Sequence, residues 1–158
     1  MGTWLNDDGL FVKFGTDEAA VTRGGEDATN GDTHVVHIDF DYSDLAATGT
    51  EKIMADNVTI PNGAFIKAAT LRVSTAFAGA TATLSIGLID QDRSTAIDAD
   101  GIDATIAVTA IDAVGDEVNC DGALVGTTLT NTGLITMTEG TAAFTAGVAK
   151  LTVEYYMP

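Results

Sequence analysis

The side chains best placed to do chemistry are carboxylates. Asp90-Gln91-Asp92 and Asp98-Ala99-Asp100-Gly101-Ile102-Asp103 fall in one short segment. Alternating acids around a glycine turn can present several oxygens to a calcium ion. Asp90, Asp92, Asp98, Asp100 and Asp103 are therefore the candidate metal ligands, and calcium is the one cofactor the residues suggest. The EF-hand loop with its closing glutamate is absent, and a solvated turn whose aspartates cap the backbone uses the same residues. Paired carboxylates also serve glycoside hydrolysis, but 23 acids offer many pairs. The clustered aromatics of a saccharide site are missing, since the single Trp4 stands near the start.

His34 and His37 sit three apart on a strand pattern, which puts them on opposite faces and argues against a shared metal. Cys120 is the one cysteine, so no intrachain disulfide forms. It lies between Asn119 and Asp121 with no neighbouring base to lower its pKa, which predicts an unreactive thiol. Nucleophile-elbow, zinc-protease, paired-cysteine, phosphate-loop and dinucleotide-loop spacings are all missing. No catalytic residue is assigned, and the chain is not read as an enzyme.

The elements that must carry these residues read as strands. His34, Val36, Ile38, Phe40 and Tyr42 alternate with Val35, His37, Asp39 and Asp41, a period of two with one apolar and one acidic face. The same alternation runs through residues 71–77, 84–88, 104–110 and 149–155. Shorter strands are expected at 10–14, 57–60, 123–129 and 134–138. Glycine and Asx clusters at 23–27, 29–32, 61–63, 98–101 and 119–122 predict turns, because glycine supplies positive φ and Asx side chains bond their own backbone. Residues 44–56 read as one short helix or an irregular loop. Many short strands with regular turn signals predict an all-β antiparallel sandwich, jelly-roll-like, with little helix.

The 158 residues suit one domain, 46% of them hydrophobic but only 6% aromatic, so the core must be aliphatic. The net charge of -16 comes from 23 acids against 7 bases. That balance disfavours nucleic acid and anionic membranes, and no run approaches the roughly 20 apolar residues of a membrane helix. The opening lacks the basic and apolar runs of a signal peptide, which predicts synthesis in a cytoplasm. The charge is uneven: residues 57–89 hold no acid, whereas 90–121 hold nine. Trp4, Leu10, Phe11, Val12 and Phe14 concentrate apolar surface near the start and are the candidate partner-binding residues. Residues 1–20 thus read as an arm or first strand, and 21–158 as a single sandwich.

Short motifs across the chain carry a resemblance. They are the start Thr3-Trp4-Leu5-Asn6-Asp7-Asp8-Gly9-Leu10-Phe11, the stretch Val58-Thr59-Ile60-Pro61-Asn62-Gly63-Ala64-Phe65-Ile66, the tetrapeptide Ser85-Ile86-Gly87-Leu88, and the ending Val148-Ala149-Lys150-Leu151-Thr152-Val153-Glu154-Tyr155. Together they resemble head-decoration or minor capsid proteins of tailed bacteriophages. The resemblance implies a virion structural protein on the outer capsid surface. It further implies a homotrimer, with the major capsid protein as partner and no catalytic residues. An adhesive or receptor-binding module of a tail, fibre or bacterial surface layer is the alternative.

Overall fold

The computed structural model describes the backbone of residues 2–5, 11–14 and 23–29, and residues 33–158 in full. Strands β1 (Gly2–Leu5) and β2 (Phe11–Phe14) pair with each other in a two-stranded antiparallel sheet.

The remaining strands form two antiparallel sheets. The first contains β3 (Arg23–Thr29), β4 (Thr33–Asp41), β7 (Phe65–Ala78), β10 (Glu117–Asn119) and β12 (Ala146–Tyr156), in the order β10-β7-β12-β4-β3. The second contains β5 (Glu51–Ile53), β8 (Thr83–Asp90), β9 (Ala96–Ala107) and β11 (Gly133–Gly140), in the order β5-β11-β8-β9, with β6 (Thr59–Ile60) also pairing β11. Three-ten turns at Tyr42–Asp44 and Val108–Ala110 are the helical pieces among the described residues. The protein is an all-β sandwich.

Four of the pairings are nested in the chain: β4 with β12, β5 with β11, β7 with β10, and β8 with β9. The chain is in effect one long ribbon folded back at the β8–β9 connection. Successive pairs of that ribbon fall alternately in the first and second sheet. Two further pairings, β7 with β12 and β8 with β11, join the rungs within each sheet.

The period-two pattern explains the core. Val36, Ile38 and Phe40 point inward from β4, while Asp39 faces solvent. Leu71 and Val153 join them from the first sheet, and Leu84, Ile86, Leu88, Ile135 and Met137 answer from the second. All seven of these are buried, so the aliphatic composition is used where removal from water stabilises most, about 25 cal/mol per Å². A small aromatic cluster closes one end, where the Phe77 ring meets Phe144 edge-on at 5.2 Å and Phe40 at 6.1 Å.

Five local expectations change. Residues 44–56, expected as a short helix or an irregular loop, contain strand β5, paired with β11. The turn expected at 98–101 lies inside β9, whose glycine permits Leu124 to lie across the strand: a side chain at Gly101 would meet Leu124 Cδ1 at 2.5 Å. The strand expected at 123–129 is a series of turns hydrogen-bonded to both sheets, through Gly122 and Leu124 to β9 and Gly126 to β7. The polar 23–27 cluster is strand β3, held by full register with β4. Residues 108–110 leave the ladder as a three-ten turn.

Candidate interaction surface

The outer face of the first sheet is built by alternation, since residues opposite the core positions must face solvent. Directly opposed residues form rows across its strands. One row reads Glu117, Arg72, Lys150, Asp39 from β10 through β7 and β12 to β4. The next reads Asn119, Thr70, Thr152, His37. In that row His37 Nδ1 lies 3.1 Å from Thr152 Oγ1, and the Thr70 hydroxyl donates to Asn119 Oδ1 at 3.5 Å. Beyond it Lys67 Nζ meets Glu154 at 3.3 Å, and in the charged row Lys150 Nζ meets Asp39 at 3.5 Å.

This face holds Lys67, Arg72 and Lys150, three of the five bases in residues 33–158; the others are Lys52 and Arg93. Arg72 is exposed and makes no ion pair or hydrogen bond among the described residues, although Glu117 stands opposite it in the register. Lys150 stands opposite it on the other side. Two like charges are thus neighbours in mid-face, an arrangement that destabilises a sheet locally.

The calcium candidates lie at the far edge of the second sheet, and the structure spreads them out. Asp92 is the cap of the 91–95 turn: it accepts from the Ser94 and Thr95 backbone N–H groups, both at 2.8 Å, and from the Thr95 hydroxyl. Those bonds hold its carboxyl down at about 2. Asp90 Oδ2 accepts from Asn131 Nδ2 at 2.6 Å. Asp98 and Asp103 stand opposite Leu88 and Ile86 along β9, so strand geometry separates them. No group of three or more His, Cys, Asp or Glu side chains able to hold a metal forms among the described residues. Asp92, Asp98 and Asp103 each accept from a backbone N–H.

Asp98 and Asp100 remain close to each other. The hydrogen bond between their carboxyls, with Asp98's like charge, raises Asp100 above the usual carboxylate value. Asp103 is buried at 6% exposure and accepts from the Thr105 N–H at 3.2 Å. Burial raises its carboxyl. The Cys120 thiol is hydrogen-bonded to Asp103, and burial, followed by the Asp103 charge, pushes that thiol up to about 12. Such a thiol is unreactive at neutral pH.

The two histidines stand apart as their spacing implies. His34 stacks on Tyr155 at 5.0 Å, while His37 belongs to the outer polar row. Trp4, Phe11, Val12 and Phe14 all fall on the β1–β2 pair, where Trp4 registers with Val12 and Phe14 with Gly2. Leu10 lies outside the described residues. No helix among the described residues is long and apolar enough to cross a membrane.

No protein-family model matches the chain, and no curated protein sequence matches it significantly. Its fold does match solved chains of three phage capsids. A chain in the acidic stable capsid structure of Helicobacter pylori bacteriophage KHP30 superposes with a TM-score of 0.58 at 15% identity, over 87% of this chain and 94% of that one. A chain in the cyanophage Pam1 capsid asymmetric unit gives 0.55 at 19% identity, over 90% and 98%. A chain in the capsid of Ralstonia phage GP4 gives 0.52 at 17% identity, over 84% and 90%. The chain shares a fold with components of all three capsids.

Proposed function

We propose that this chain is a virion structural protein of a tailed bacteriophage, a decoration or cement protein bound to the outside of the head. The observation that carries the proposal is near end-to-end fold likeness to chains in three phage capsids with different hosts. A likeness that covers at least 84% of this chain and 90% of each other chain supports a shared structural role for the whole unit. The partner in this reading is the major capsid protein, the protein acts as a homo-oligomer, and no catalysis is involved. The β1–β2 pair bearing Trp4, Phe11, Val12 and Phe14 is the arm that anchors it. The nested order of strand pairs supports a jelly-roll description of the sandwich, since such folds wind two Greek keys from eight strands.

The test is reconstitution. Purified chain is added to heads of the cognate phage that lack it, and the particles are imaged. Saturable, regular density on the outer surface at many copies per head is expected. Density confined to the tail or portal vertex, or none at saturation, overturns the reading. Removing residues 1–15 is expected to abolish docking; full docking without them sinks the anchor assignment.

A further inference from the structure

The monomer places two like-charge pairs of opposite sign on separate surfaces. Arg72 and Lys150 are neighbours on the outer face of the first sheet; Lys150 reaches Asp39 at 3.5 Å, whereas Arg72 makes no ion pair among the described residues, although Glu117 stands opposite it in the register. Asp98 and Asp100 are neighbours on edge strand β9 of the second sheet, and neither has a basic partner among the described residues. Each pair is unfavourable alone, the first through repulsion between adjacent strands. Bringing the two pairs together relieves both at once.

We propose that the outer face around Arg72 and Lys150 is a docking surface for the β9 edge of a second copy of this chain. The occupant follows from charge. A surface of low net charge with two adjacent bases calls for carboxylates, and the chain itself displays a matched pair. The contact is heterologous, joining two different surfaces, the kind that propagates into a closed ring or an open filament. This deepens the homo-oligomer part of the reading above and rests on it, but does not depend on what the assembly decorates.

The experiment is sedimentation of the purified full chain at about 0.02 M and about 0.5 M salt, across which screening shortens from roughly 20 Å to about 4 Å. Wild type is expected to associate at low salt and dissociate at high salt. Arg72→Glu/Lys150→Glu weakens association at least about tenfold, and so does Asp98→Lys/Asp100→Lys. An equimolar mixture of the two variants associates again, because each presents the charge the other now lacks. That recovery also excludes misfolding as the cause of the losses. A monomeric wild type at low salt, an association indifferent to both variants, or variants that fail to recover on mixing overturns the proposal. Shell docking is a separate measurement, so failure here leaves the decoration reading standing, and failure there leaves this contact standing.

Discussion

Gly147 shows how much one position can decide. It sits at an irregularity in the β12–β7 ladder with φ of 139°, a conformation that L side chains rarely adopt. A side chain there would also run into the Phe77 ring. Both effects act together in Gly147→Ala, which is expected to lower stability by about 3 kcal/mol in equilibrium denaturation. A loss under about 1 kcal/mol would show that the ring and backbone relax freely. Titrating residues set the pH response. Asp41 is held below its ordinary 3.8, first by the Ser43 hydroxyl and then by the Ser43 N–H, and Asp92 is held at about 2. Stability from these two is present above 3.8 and lost as pH falls toward 2. Asp100 and Asp103 are raised, so their charged forms disfavour folding at neutral pH, and protonation relieves this as pH falls through their raised values. Urea midpoints should thus hold or rise from pH 7 into mild acid, then fall below 3.8. Asp103→Asn should flatten the first limb alone. A monotonic fall from pH 7 would contradict the assignment.

At the scale of elements, what could be read in advance divides by physical cause. The alternating runs at 34–42, 84–88 and 149–155 announced β4, β8 and β12, because a half-buried strand must alternate. Strands β3, β5 and β10 carried no such signal. They are short or polar and exist because a neighbour supplies the ladder, a long-range fact that local propensity does not contain. The acids of 90–103 were visible, but their spacing suggested a turn where a strand spreads them. The Arg72–Lys150 row was hidden altogether: the two residues are 78 positions apart, and only register makes them neighbours. The 123–129 segment, expected as a strand, instead ties β9 to β7. Just before it stands Gly122, where an added side chain would press on the Gly101 backbone. Gly122→Ala is expected to loosen this seam by about 2 kcal/mol. The readout is Cys120, buried at 6% exposure, whose labelling by a thiol reagent in the native state should speed up well before the global melt. Labelling no faster than in wild type would show that the seam tolerates the change.

For the molecule as a whole, the composition and patterning did indicate the fold class. An aliphatic, aromatic-poor chain with period-two runs reads as an all-β protein, and its fold matches chains of phage capsids. No group of three or more potential metal ligands forms among the described residues, and chelation is a direct check. Added EDTA should leave the Tm unchanged to within about 1 °C, and a larger drop would mean a metal site built from residues not grouped here. The nested pairing makes most strand contacts distant in sequence, the regime in which β proteins refold in milliseconds to seconds. Refolding in microseconds would contradict it.

The position of β12 has a consequence for biosynthesis. It is the last of the twelve strands among the described residues, yet it lies between β7 and β4 in the middle of its sheet. During synthesis, β4 and β7 emerge with their mutual partner still inside the ribosome, so neither can finish its ladder. A nascent chain cut short before residue 146 leaves β4 paired only with β3 and β7 only with β10, each with an open edge where β12 belongs. The two halves of the first sheet therefore close only when β12 is released, so that a copy lacking this strand cannot complete the sandwich.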